Sequence, residues 1–256
     1  MTITNFELEQ ILNTKLNSSA INDYAPNGLQ VEGKKEIKKI ITGVTASLPL
    51  IEKAIEKNAD AILVHHGYFW KSENPCIRGM KGKRIKQLLV NDINLFGYHL
   101  PLDIHPELGN NAQLAKHLGV INLQGLEDNP NSIPMYGELE TPISAEELQQ
   151  KLEKTLQRTV ILCNEFTSSP QKMIKRIGIC SGGGQGYIDL AFEKGCDAFI
   201  SGEISEQTTH SAREQGIYYF ACGHHATERD GVKALGEWLA QQYGLEVEFI
   251  DIDNPA

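Results

Sequence analysis

Two adjacent histidines, His65 and His66, close the apolar run Ala61–Val64, and Gly67 follows them. Two further stretches pair a histidine with an acid four residues on: His99 with Asp103 in "YHLPLD", and His224 with Glu228 in "GHHATE". Neutral imidazole and carboxylate are the donors that suit first-row divalent ions such as zinc, iron, manganese, cobalt or nickel. No cysteine belongs to the set, which favours a catalytic site with an open coordination position over a closed structural one. Neighbouring residues of a strand point to opposite faces. His65 and His66 can therefore serve one ion only if the backbone turns at Gly67, whereas two ions a few ångströms apart can take one imidazole each. A pair of ions is also the arrangement that activates water and clamps a developing oxyanion. His224 and Glu228 share a face if the chain is already helical there.

The elements that must carry these groups emerge from an internal repeat. "IKKIITGV" from Ile37 and the following "AIEKNADAILVHHG" align without a gap to "IKRIGICS" from Ile174 and "AFEKGCDAFISGE". The offset is a constant 137 residues, Ile37 to Ile174, and it pairs Ala54 with Ala191, Asp60 with Asp197 and His66 with Glu203. Each copy reads as strand, turn, helix, strand, and so predicts parallel βαβ units covered on both faces. A further strand then ends on each His-x-x-x-acid motif, at an offset of 125 residues, His99 to His224. The expected fold is α/β: two similar α/β/α lobes from an internal duplication, with mostly parallel sheets. In such sheets ligands bind beyond the carboxyl ends of the strands, where all these side chains fall.

The segment "LQGLEDNPNSIPMYGEL" breaks periodicity and suggests a lobe boundary. Residues 1–126 with 224–256 are expected to form the first lobe, carrying most metal ligands, and 127–223 the second. Ser144 with Glu147 reads as a capping box opening a helix. "GVKALGEWLAQQYG" reads as an amphipathic helix, and "LEVEFIDID" as a closing strand of alternating character. The loop "SGGGQG", with Gly182, Gly183 and Gly184, lies between a strand and a helix and is a candidate anion loop. It fits neither the dinucleotide fingerprint nor the P-loop, and a plain tight turn is the competing reading. His99, Glu203 and His210 are candidates for positions behind the ligands or in the same pocket. His105, His117 and His225 read as structural.

Composition narrows the class. Among 256 residues, 24 basic side chains stand against 33 acidic ones, a net charge of −9. Binding to duplex nucleic acid draws on cationic side chains that replace phosphate counterions, so this balance disfavours it. The densest basic stretch, Arg78 to Lys86, reads as a solvated helix face. No run approaches the roughly 20 apolar residues of a membrane span, so no membrane partner is expected. Five scattered cysteines without a C-x-x-C pair, and an N-terminus without a secretory pattern, point to the cytoplasm.

Taken in order, "NGLQVEG", "LVHHG", "YHLPLD", "CSGGG" and "GHHATE" resemble the NIF-three-like, or YbgI-like, family, whose members carry the name GTP cyclohydrolase 1 type 2 homologue. The resemblance spans nearly the whole chain. It implies a toroidal homohexamer, a trimer of dimers, with a dinuclear metal centre facing its cavity. It implies His65, His66, Asp103, His224 and Glu228 as the ligands of two divalent ions, and it does not place His99 among them. It also implies that the terminal helix and strand join the first lobe. The expected function is a metal-dependent hydrolase of a small substrate, with a nucleotide or purine ring as the first candidate; no catalytic residue beyond the ligands is assigned. A non-catalytic metal-binding or interaction ring is the alternative.

Overall fold

The run ending at His65 and His66 is apolar at successive positions because its strand, Ala61–His66, is covered on both faces. It lies at the centre of a five-stranded sheet ordered Glu246–Phe249, Lys39–Thr45, Ala61–His66, Asn94–Gly97, Gly28–Val31. The first four strands are parallel and the last is antiparallel to its neighbour. Ala61 and Leu63 pack with Leu8, Leu12 and Leu16 of the helix Asn5–Leu16 and with Val232, Leu235 and Leu239 of the helix Arg229–Tyr243. Ile62 and Val64, one residue out of phase, pack with Leu50, Ile51 and Ala54 of Leu48–Glu56 and with Ile85 and Leu88 of Gly79–Val90. The alternation of the pleat thus sorts one continuous apolar run into two separate cores. On Gly79–Val90 the solvent-facing positions include Lys83 and Lys86. The structure is a computed structural model and describes residues 2–167 and 172–256.

Two units divide the chain: Met1–Gly109 with Gly231–Asp253, and Asn110–Asp230 with Asn254–Ala256. These bounds lie 17 residues before and 7 residues after the junctions read from the sequence, at Gly109/Asn110 and Asp230/Gly231. The physical reason is burial. Leu114, Ala115 and Leu118 of the helix Asn110–Leu118, together with Ala226, enter the core of the second unit. The terminal strand Glu246–Phe249 returns to the first unit, where Val247 lies opposite Ile40 in parallel register.

The second unit holds a six-stranded sheet ordered Val120–Gly125, Met135–Ile143, Ile174–Cys180, Ala198–Ser201, Tyr218–Ala221, Ile161–Cys163. Its middle pairings are parallel and its flanks antiparallel. Helices again cover both faces. Leu148, Leu152 and Leu156 of Ala145–Leu156 pack on Ile177, Ile179 and Ile200, while Ile188, Ala191 and Ala212 pack on Phe199 and Tyr219. The capping box expected at Ser144 and Glu147 is formed. Among the described residues no helix is long and apolar enough to cross a membrane.

The repeated segments fold alike down to register. Ile40 lies opposite Ala61, and Ile177 lies opposite Ala198. The Asp60 carboxylate accepts from the backbone N–H groups of Lys38 and Lys39, both at 2.8 Å. Asp197, its repeat partner, accepts from those of Lys175 and Arg176 at 3.0 and 2.9 Å. Burial would raise the Asp60 carboxyl, but Lys34 and the two backbone donors outweigh it and hold it below the usual carboxylate range. A depressed folded-state value means stability present above the unfolded value and lost as pH falls through the lower, folded one. Asp60→Ala is therefore expected to cost about 1–3 kcal/mol at pH 7, since it strands two donors. Urea denaturation should show that difference shrinking as the pH is lowered below about 4, the unfolded carboxylate value.

The second correspondence needs a correction of one residue. Ala61 pairs with Asn94, and Ala198 with Tyr218, so the third strands are related by an offset of 124 rather than 125. In that register His99 matches Gly223, the residue before the helix His224–Thr227, and Asp103 matches Thr227. His99 precedes its short helix, Leu100–Asp103, whereas His224 begins one. The two motifs look alike in sequence but sit one residue apart relative to their strands.

Candidate metal centre

In the first unit the strand's end brings imidazoles together. The rings of His65 and His66 are 4.6 Å apart between centroids, and the His99 ring lies 5.1 Å from His65 and 5.8 Å from His66. One nitrogen of each lies within 4.8 Å of the others, a grouping able to hold a metal ion. Asp103, buried like His65 and His99, has Oδ1 3.5 Å from His65 Nε2. The turn after His66 is locked by Gln30, from the antiparallel edge strand. Gln30 Oε1 accepts from Tyr68 N–H at 2.7 Å and Nε2 donates to Pro26 O at 2.8 Å. Its amide fills the space that a Cβ on Gly67 or Gly97 would need. Gln30 lies within the stretch "NGLQVEG", where nothing in the sequence marks it for this role.

Each histidine is oriented from behind. His65 Nδ1 donates to Tyr98 O at 3.0 Å, and His66 Nδ1 is 3.3 Å from Thr45 Oγ1. His99 Nδ1 donates to Asp23 Oδ1 at 2.9 Å. Asp23 also accepts from Leu100 N–H and from the Asn27 amide, while Asn27 Oδ1 accepts from His99 N–H. Burial opposes the charge on Asp23, yet the hydrogen bonds from His99 and Asn27 prevail and hold its carboxyl well below the ordinary range. Sequence reasoning missed Asp23, which is one acid in an irregular loop. His105 is used differently, within its own turn. Its Nδ1 accepts from Glu107 and Leu108 N–H, and burial pushes its pKa down.

In the second unit His224 Nδ1 donates to Glu203 Oε1 at 2.7 Å, and its Nε2 lies 3.3 Å from the buried Glu228 Oε2. The hydrogen bond to Glu228, assisted by Glu203 and opposed by burial, pushes the His224 pKa up to about 9. Two carboxylates that stabilise a proton there would equally stabilise a metal cation. Tyr219 OH donates to the Glu203 carbonyl and fixes that turn.

The glycine loop adjoins the same pair. Gly182 has φ +61, its N–H donates to Thr227 Oγ1 at 3.0 Å, and its carbonyl accepts from Gly202 and Glu203 N–H. A Cβ at Gly182 would collide with Glu228 Oε1 and stand 3.0 Å from His224 Nε2. A Cβ at Gly184 would run into Cys180, and one at Gly183 would meet Glu203 at ordinary contact distance. The loop is thus a tight turn bordered by carboxylates. His210 lies exposed on the helix Glu206–Gln215, and among the described residues it joins no metal-capable grouping.

The donor chemistry fits divalent metal. Imidazole and carboxylate groups converge in each unit, and His65, His66, His99 and His224 each have Nδ1 within hydrogen-bond reach of a neighbour. Such outer partners fix the ring and its tautomer in metal sites.

Residues 3–255 match the family described as Duf34/NIF3 (NGG1p interacting factor 3). A Haemophilus influenzae protein named GTP cyclohydrolase 1 type 2 homolog is 70% identical over 254 residues, 99% of this chain and 100% of the relative. An Escherichia coli K12 protein of the same name is 56% identical over 252 residues, 98% of this chain and 99% of its own. Among solved structures, one titled "protein ybgI, unknown function" superposes with a TM-score of 0.94 at 56% identity, covering 99% of this chain and 100% of its own. Reduced HcgD from Methanocaldococcus jannaschii does so with 0.85 at 27% identity, over 98% and 99%. With the match spanning nearly every residue and the histidine and acid motifs in order, this chain belongs to the Duf34/NIF3 family.

Proposed function

We propose that this chain is a metal-dependent hydrolase of a small substrate that takes two divalent ions, with His65, His66, Asp103, His224 and Glu228 as their ligands. The observation that carries the reading is the orientation of the three ligand histidines, whose Nδ1 atoms each lie against a neighbour's oxygen, Tyr98 O, Thr45 Oγ1 and Glu203 Oε1, an arrangement in which Nε2 would take the metal. Bound divalent ions supply Lewis acidity and activation of water. The chain's own contribution is to hold the donors: the Tyr98 carbonyl aims His65, Asp23 aims His99 behind the ligands, and Glu203 aims His224. A nucleotide or purine ring as substrate is supported by the name that the relatives carry, GTP cyclohydrolase 1 type 2 homolog. A homohexameric ring, a trimer of dimers, belongs to the same proposal and is supported by the family resemblance.

The family description names an interacting factor, and this favours a second reading, a metal-carrying or interaction ring without turnover. One screen separates the two. The chain is loaded in turn with zinc, iron(II), manganese, cobalt or nickel and incubated with GTP, dinucleotides, peptides and phosphoesters. Hydrolysis of one class by the metal-loaded chain alone is the expected result. Metal retention without turnover across the panel would support the second reading, and failure to retain any metal would overturn both.

A further inference from the structure

Beside the histidine cluster of the first unit stand two aromatic rings that the metal chemistry does not use. The Tyr24 and Trp70 rings are 5.5 Å apart, and each meets His99 edge-on, at 5.0 and 4.8 Å. Trp70 also lies 5.9 Å from His66. Tyr24 is 52% exposed, a large fraction for an aromatic side chain in contact with two other rings.

These rings are held in place by their loops. Lys71 N–H donates to the Tyr24 carbonyl at 2.9 Å and ties one loop to the other. Trp70 Nε1 donates to Gly67 O at 3.1 Å, which fixes the indole against the turn that follows His66. Glu73 Oε2 accepts from Phe69 N–H at 2.6 Å and from Trp70 N–H at 3.2 Å. Between those donors Phe69 is held at φ +64, a conformation that a bulky residue rarely adopts. Strain of this kind persists only where the surroundings impose it, and it concentrates at ligand-binding sites.

We propose that Tyr24 and Trp70 form an aromatic shelf that stacks a planar heteroaromatic ring of the substrate beside the histidine cluster. The proposal rests on the metal-hydrolase reading and specifies its substrate class. Aromatic side chains accept any base-like ring by stacking. The flanking imidazole of His99, kept in orientation by Asp23, makes the third side of the shelf.

The chain contains two tryptophans, so a Trp238→Phe background leaves Trp70 as the sole indole reporter. Guanosine monophosphate titrated into the metal-loaded variant is expected to quench its fluorescence saturably, and ribose 5-phosphate is not. By calorimetry, Tyr24→Leu and Trp70→Leu should each weaken guanosine monophosphate about tenfold, within the range for a lost stacking partner. Tyr24→Phe, which keeps the ring, should bind as the parent does and so excludes a general loss of fold. Equal binding of ribose 5-phosphate, no binding of the nucleotide by metal-loaded chain, or unaltered affinity in both Leu variants would overturn the shelf. Elemental analysis of the same samples separates the two claims. Metal bound without nucleotide binding would sink the shelf alone, and nucleotide quenching in chain that retains no metal would sink the metal reading alone.

Discussion

His65→Ala and Glu228→Ala are each expected to lose divalent metal, with affinity falling on the order of 100-fold or more, beyond the range seen when only an outer partner of a ligand is removed. His65 is the most constrained of the donors. It is buried, its Nδ1 is committed to the Tyr98 carbonyl, and its Nε2 faces Asp103. Glu228 is buried in the second unit beside His224. His117→Ala provides the control, because His117 is a half-exposed histidine paired with Asp230 at 3.3 Å. Elemental analysis after loading and desalting should show metal in the parent and the control and little in the other two. Unchanged metal content in His65→Ala, with the fold intact by circular dichroism, would remove His65 from the ligand set.

The scaffold was legible because its signals are local. Apolar runs such as Ala61–Val64 and Ile177–Cys180 announce strands covered on both faces, and the same strand-helix-strand word occurs at a constant offset. The capping box at Ser144 follows from an equally local pattern, and so does the existence of a terminal strand, whereas its place in the first unit was implied only by the family resemblance. Histidines at strand ends were legible for the same reason, since topology places the ends of parallel strands on one rim. What escaped is set by contacts distant in sequence. Asp23 acquires its role from His99, 76 residues on, and Gln30 from Tyr68, 38 residues on. Tyr24 and Trp70 sit in loops with no periodicity to read, and only the fold brings them to one place. The one-residue displacement between His99 and His224 was hidden as well. Motif spacing is counted along the chain, whereas equivalence is decided by the hydrogen bonds of the sheet.

Gly182→Ala should damage the second unit's half of the proposed metal set without touching a ligand. At φ +61 an alanine costs about 1–2 kcal/mol relative to glycine, because Cβ crowds the carbonyl. The new methyl would also point at Glu228 Oε1 and close in on His224 Nε2. The Glu228 side chain is buried, so it can yield only by swinging its carboxylate away from His224. The expected outcome is a stability loss of about 1–2 kcal/mol in urea, together with metal affinity lowered by about 10-fold or more, the scale of a disturbed ligand geometry. Gly186→Ala, four residues along, places its Cβ in open space and should change neither quantity. If Gly182→Ala lost stability but kept full metal affinity, the glycine would be serving the turn alone, and Glu228 would have to reach its metal from another side.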